Sequence, residues 1–165
     1  NHGYISLMGD VGTWVMLVYR IPREPSRPRI AVWRRLERLG VARLADGVGG
    51  LPADARTREQ FDWVADEILA AGGQCGVWLS QPATAAQEQE IAAGMRAART
   101  VEYRAVVAEA EAAVSAEPGE RTRVLRRLRA ELRRIRQRDF FPPAERDAAQ
   151  VAVDALAVTG DRSDA

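Results

Sequence analysis

The stretch from Trp14 to Pro52, WVMLVYRIPREPSRPRIAVWRRLERLGVARLADGVGGLP, constrains this chain more than any other. An apolar, partly β-branched run, Trp14–Ile21, ends at Pro22, whose ring fixes φ and removes a backbone donor. A loop bearing Pro and Ser follows. An Arg-rich amphipathic helix is then predicted from about Arg27 to Leu39, with Gly40 as its stop. Two short apolar runs, Val41–Leu44 and Val48–Leu51, flank Ala45-Asp46-Gly47. Asp-Gly between two such runs is a strong hairpin signal. The order is β-α-β-turn-β.

The next segment adds a second helix and a fourth strand. Thr57–Ala71 reads as a helix with Thr57 as N-cap and Gln60 closing a capping box. Phe61, Val64, Ile68 and Leu69 would form its core face, and Gly72-Gly73 its end. Cys75–Gln81 reads as a fourth strand stopped by Pro82. The fold class expected is α+β: a ferredoxin-like βαββαβ core, residues 13–81, with an antiparallel sheet and both helices on one face. The first strand, Thr13–Ile21, carries so little polarity that it is expected to be central and covered on both faces. In the first helix Ile30, Trp33, Leu36 and Leu39 are the expected buried stripe.

The rest of the chain has helical periodicity. Ala83–Ala116 is Ala- and Glu-rich, with Gly94 as the place for a kink. Arg121–Arg138 is strongly amphipathic: Val124, Leu125, Leu128, Leu132 and Ile135 converge on one stripe while Arg covers the remainder. Phe140-Phe141-Pro142-Pro143 makes a turn, and Ala144–Val158 a last helix. This C-terminal extension of about three helices, 83–158, is expected to pack on the core as one structural unit. Residues 1–12 and 159–165 are expected to be flexible ends. The long helices carry more apolar surface than the small core needs, and sheet edges invite pairing, so a homodimer is expected.

Composition excludes several chemistries. All 24 basic residues are Arg, so a Lys Schiff base is ruled out. Cys75 is the only Cys and His2 the only His, which excludes an internal disulfide, Ser-His-Asp and Cys-His arrangements and multi-His metal sites. Cys75 has no adjacent cation in sequence and reads as a small hydrophobe at a strand start. Four tryptophans, Trp14, Trp33, Trp63 and Trp78, fall one per predicted element and read as packing residues. Asp46 reads as a turn former. No enzymatic activity and no cofactor are expected. No apolar run approaches the roughly 20 residues of a spanning helix. With no signal-peptide pattern either, a cytoplasmic protein without membrane contact is expected.

Charge is unevenly spread. Arg20–Arg43 holds eight Arg against two acids, Glu120–Asp139 nine Arg against three, and Leu44–Gly119 five Arg against twelve acids. Blocks of this kind serve an anionic partner or pair with one another. The first basic block offers Arg20, Arg23, Arg27 and Arg29 beside a helix N-terminus, suited to an oxyanion such as sulfate or phosphate, with Arg34 further along. The second offers Arg123, Arg126, Arg127, Arg133 and Arg134 for nucleic-acid phosphate. The competing reading pairs that helix with Glu102, Glu109 and Glu111.

Several of these features together resemble a known family. The strand opening at Trp14, the helix Arg29…Trp33-Arg34…Leu36…Leu39-Gly40 and the turn Asp46-Gly47-Val48 are similar to the N-terminal domain of the chromate resistance protein ChrB family. Val101-Glu102-Tyr103 and Arg138-Asp139-Phe140-Phe141 resemble further landmarks of that family. More distantly, the pattern resembles the middle domain of the phenylacetate-catabolism repressor PaaX, and through it the small CRISPR-associated endonuclease of the ferredoxin-like class. That enzyme type places a metal-binding Asp at the end of its first strand, where this chain has Arg20. A cation there does not hold a divalent metal, which speaks against the nuclease reading and leaves only carboxylates brought together by folding as a route to a metal. The resemblance implies a non-catalytic regulator of chromate resistance, controlling transcription of a chromate-efflux operon by binding DNA through a basic surface. The alternatives are a protein-interaction or oligomerisation module and an oxyanion sensor that takes chromate through Arg20, Arg23, Arg27 and Arg29.

Overall fold

A computed structural model describes the backbone of residues 11–161 and the side chains through residue 158. The ends expected to be flexible, and with them His2, lie largely outside these residues. The described chain forms two compact units, one through Met95 and one from Arg96.

The first unit runs β1 (Trp14–Arg20), α1 (Ser26–Leu39), β2 (Ala42–Ala45), β3 (Val48–Pro52), α2 (Ala55–Ala70) and β4 (Gln74–Ser80), then enters α3 (Ala85–Ala113). The four strands form one sheet in the order β2-β3-β1-β4, with β1 antiparallel to both neighbours. This is the expected ferredoxin-like order. Two interlocked βαβ crossings place β1 and β3 side by side in the middle of the sheet. Alternation along β1 decides what is buried. Val15 and Leu17 are fully buried, as are Leu51 on β3 and Phe61, Val64 and Ile68 on α2.

The opposite face of β1 is covered only at its start. There Trp14 is buried, whereas Val18 and, on β4, Trp78 are exposed. The cover at Trp14 comes from the first turns of α3. Glu88, itself buried, accepts the Trp14 indole N–H at 2.9 Å and the Gly12 backbone N–H at 3.0 Å. The expectation of a strand covered on both faces therefore holds only at one end.

Local details differ from the sequence reading in three places. In α1 the buried residues are Val32 and Leu36, four apart, while Ile30 and Trp33 are exposed. A spacing of three repeated over nine residues drifts around a 3.6-residue helix, so the 30-33-36-39 row cannot stay on one face. In α2 the N-cap is Asp54, not Thr57. The Asp54 carboxylate accepts from the Thr57 N–H at 2.7 Å, and the Thr57 hydroxyl reaches back to the Asp54 N–H. Leu69 of that helix is exposed. Of the four tryptophans only Trp14 is buried; Trp33, Trp63 and Trp78 are each about half exposed or more.

The second unit comprises α3 from Arg96, α4 (Pro118–Gln137) and α5 (Glu145–Asp161). α3 runs through Gly94 without a break. Pro118 opens α4 at a position where a missing N–H costs nothing. The expected stripe on α4 is present: Leu128, Leu132 and Ile135 are buried, with Val124 and Leu125 partly so. They pack with Tyr103, Val106 and Ala110 of α3 and Ala149, Val153 and Leu156 of α5.

Candidate functional site

Two basic surfaces stand out, one in each unit. In the first, the chain leaves β1 at Arg20, turns through Ile21 and Arg23, and re-enters α1, whose first turn contains Arg29. The β2–β3 hairpin returns beside this corner. Its turn is fixed by Gly47, which has a φ of 73° and whose carbonyl accepts the Tyr19 N–H at 2.8 Å. A Cβ at Gly47 would sit 2.3 Å from the Tyr19 carbonyl oxygen, so only glycine allows this approach. The hairpin register shifts between Arg43 and Ala45, a bulge in the edge strand β2.

The result is an open cleft of about 530 Å³. Arg20, Arg23, Arg29 and Arg43 line it, together with Tyr19, Trp33 and one acid, Asp46. The Arg43 guanidinium lies 5.3 Å from the Trp33 ring centre, a cation–π distance, and its Nε is 3.2 Å from Glu37 Oε1. Among the described residues Arg20, Arg23 and Arg29 form no ion pair. The α1 N-terminus adds positive potential: Pro25 at the N-cap offers no side-chain bond, and the first turn holds no acid.

Three of the four arginines singled out in the first basic block thus meet in one cleft. Arg27 and Arg34 are exposed on α1 and do not line it. Arg43, Trp33 and Tyr19 were not foreseen there. The available signals were the placement of Trp33 one turn after Arg29, and of Arg43 on the strand that the Asp46-Gly47 turn folds back.

The second surface lies on α4. Arg126, Arg129 and Arg133 follow one another at helical spacing and line a shallow groove with Thr122 and Leu125. They make no ion pair among the described residues. Other α4 arginines are engaged: Arg127 with Glu109 at 2.5 Å, Arg134 with Glu131 at 2.8 Å, and Arg136 with Gln150 at 2.5 Å. Arg123 lies exposed, its Nε 3.4 Å from the Gly119 carbonyl. Of the candidates read from sequence, Arg126 and Arg133 belong to the row. Arg129, which joins them, was missed although it sits three and four residues from its neighbours.

Cys75 is half-buried, with its Sγ 3.5 Å from the Ala65 carbonyl. Burial pushes its thiol pKa up, and Asp66 adds to the shift. Among the described residues no three His, Cys, Asp or Glu side chains converge as metal ligands. None of their helices is long and apolar enough to cross a membrane.

Comparison with known proteins places the sequence in a family. A family model described as Protein ChrB, N-terminal, matches residues 29–162. That range includes Arg29, Trp33, Arg43 and the whole α4 row but begins after Arg20 and Arg23. Protein ChrB of Cupriavidus metallidurans is 30% identical over 133 residues, covering 78% of this chain and 40% of that relative. The chain therefore spans about two fifths of the length of the curated relative it matches. No solved structure matches it. With most of the sequence matched in order, the chain belongs to the ChrB N-terminal family.

Proposed function

We propose that this chain is a non-catalytic, cytoplasmic regulatory module of chromate resistance that contacts DNA through α4 and controls a chromate-efflux operon. Membership of the ChrB N-terminal family supports the setting. The observation that carries the DNA reading is the row Arg126, Arg129 and Arg133. These three planar cations lie along one helix face, free of the acids that engage Arg127 and Arg134. Such a row suits successive phosphates rather than base edges.

Fluorescence anisotropy over a salt series tests it, with operon-upstream and scrambled duplexes. Each phosphate contact contributes about −0.9 to the slope of log K against log salt. Replacing Arg126, Arg129 and Arg133 with Ala is expected to flatten the slope by nearly three such increments, equally on both duplexes. Binding that is absent, or indifferent to the triple replacement, would leave an interaction module as the reading. We also propose that the module works as a homodimer, supported by the edge position of β4 and the exposed Trp78 on that strand. Sedimentation showing a monomer at all concentrations would refute this.

A further inference from the structure

The cleft of the first unit is built for more than a small inorganic anion. A tetrahedral oxyanion takes the room of a few waters, at roughly 30 Å³ each, and would leave most of about 530 Å³ unfilled. The walls are also mixed in a particular way. Four guanidinium groups face one carboxylate, so the cleft favours anions strongly. One wall is Trp33, whose indole is 48% exposed. An adjoining apolar hollow of about 280 Å³, lined by Arg29, Ile30 and Trp33, extends the aromatic wall. Arginines at one end and a half-exposed ring at the other fit a ligand that is anionic at one end and flat at the other.

We propose that this cleft binds a nucleotide, with its phosphate gathered by Arg20, Arg23 and Arg29 and its base laid against Trp33. The same chemistry is offered by a free mononucleotide and by a nucleotide in a single strand. Arg43, held against the Trp33 ring by its cation–π contact and by Glu37, keeps that ring in place as a platform. The proposal is independent of the α4 reading, because no residue is shared between the two surfaces.

Isothermal titration of the full chain tests it with adenosine 5′-monophosphate, a single-stranded oligonucleotide, inorganic phosphate and chromate. The mononucleotide is expected to bind at least tenfold more tightly than phosphate or chromate. Trp33→Leu is expected to lose about tenfold through the missing stack, and Trp33→Phe to recover most of it. Arg23→Ala/Arg29→Ala is expected to lose tenfold or more. Replacing Arg126, Arg129 and Arg133 with Ala should change nothing here, which separates failure of this proposal from failure of the α4 reading. All the substituted residues are exposed, so circular dichroism and the melting temperature are expected to stay near those of the parent chain. An oligonucleotide that binds tighter than, or equal to, the mononucleotide supports the proposal and says which source the cleft prefers. Phosphate or chromate binding as well as the nucleotide, indifference to Trp33→Leu, or no nucleotide binding at millimolar concentration would overturn it.

Discussion

The Tyr103 hydroxyl donates to Asp139 Oδ2 at 2.8 Å, and one residue earlier on each side Glu102 pairs with Arg138 at 2.9 Å. Two sequence landmarks 36 residues apart therefore lock together residue by residue. Arg99 completes the clasp, with its Nε 2.7 Å from Glu102 and one of its terminal nitrogens donating to the Arg138 carbonyl at 3.1 Å. The clasp fixes the turn after α4 against α3, and the buried pair Phe140 and Phe141 follows it directly.

This clasp makes the second unit alkali-sensitive. Burial first, then the bond to Asp139, pushes the Tyr103 pKa well above the ordinary phenol value of 10.0. The folded state thus holds the phenolic proton longer than the unfolded state does. Its stabilisation is complete below the unfolded value and is lost as pH rises from there through the folded value. Urea midpoints measured from pH 8 to 11 are expected to fall at the alkaline end for the parent chain and to fall less for Tyr103→Phe. Equal alkaline slopes would show that Tyr103 titrates normally.

Glu88 anchors the first unit at the start of β1. Removing its carboxylate leaves the buried Trp14 indole without that acceptor. Glu88→Ala is expected to cost about 1.5–3 kcal/mol in urea unfolding, the range for hydrogen bonds to charged groups. Glu88→Gln keeps an acceptor oxygen and is expected to cost less. The ratio of the two losses is the readout.

Gly47 and Gly72 separate strain from collision. Both have φ near 75°, yet a Cβ at Gly72 meets nothing within 4 Å while one at Gly47 meets the Tyr19 carbonyl. Gly72→Ala is expected to cost about 1–2 kcal/mol, the left-handed penalty alone. Gly47→Ala is expected to cost clearly more and to shift the amide resonances of Tyr19 and Arg20. Equal costs would mean that the hairpin relaxes freely.

Cys75 is expected to be a slow thiol. Its raised pKa keeps it protonated at neutral pH, and its half-buried position restricts access. Alkylation by iodoacetamide at pH 7.5 should run severalfold slower than for the same residue in urea, and accelerate with rising pH. A rate equal to that of the unfolded chain would refute this.

Much of the fold was legible because its signals are local. Pro22, Gly40, Asp46-Gly47 and Gly72-Gly73 punctuate the elements, and the α4 stripe repeats at true helical spacing. The α2 cap was misplaced because Thr57-x-x-Gln60 matches the usual capping-box pattern, whereas the reciprocal bonds in the fold are made one step earlier by Asp54 and Thr57, which do not match it. Trp33 was misassigned because its hydrophobicity argues for the core, whereas Val32 and Leu36 already fill the buried face of α1. The cleft was only half visible. Arg20, Arg23 and Arg29 cluster in sequence, but Arg43 reaches them only through the return of the hairpin. Of the clasp, only the pairing of Glu102 with the basic Arg121–Arg138 segment was readable from charge; the Tyr103–Asp139 and Arg99–Arg138 contacts are non-local, and periodicity carries no trace of them.

The uneven restraint of the four cleft arginines has a kinetic consequence. Arg43 has an acid and a ring beside it before any ligand arrives, whereas Arg20, Arg23 and Arg29 form no ion pair among the described residues. Immobilising such side chains costs about 0.5–1.5 kcal/mol each, so gathering all three forfeits roughly 2–4 kcal/mol, or one to three decades of affinity. Residence times shorten accordingly. A cleft of this kind tracks the momentary concentration of its anion, filling and emptying with it, rather than retaining one molecule as a structural part.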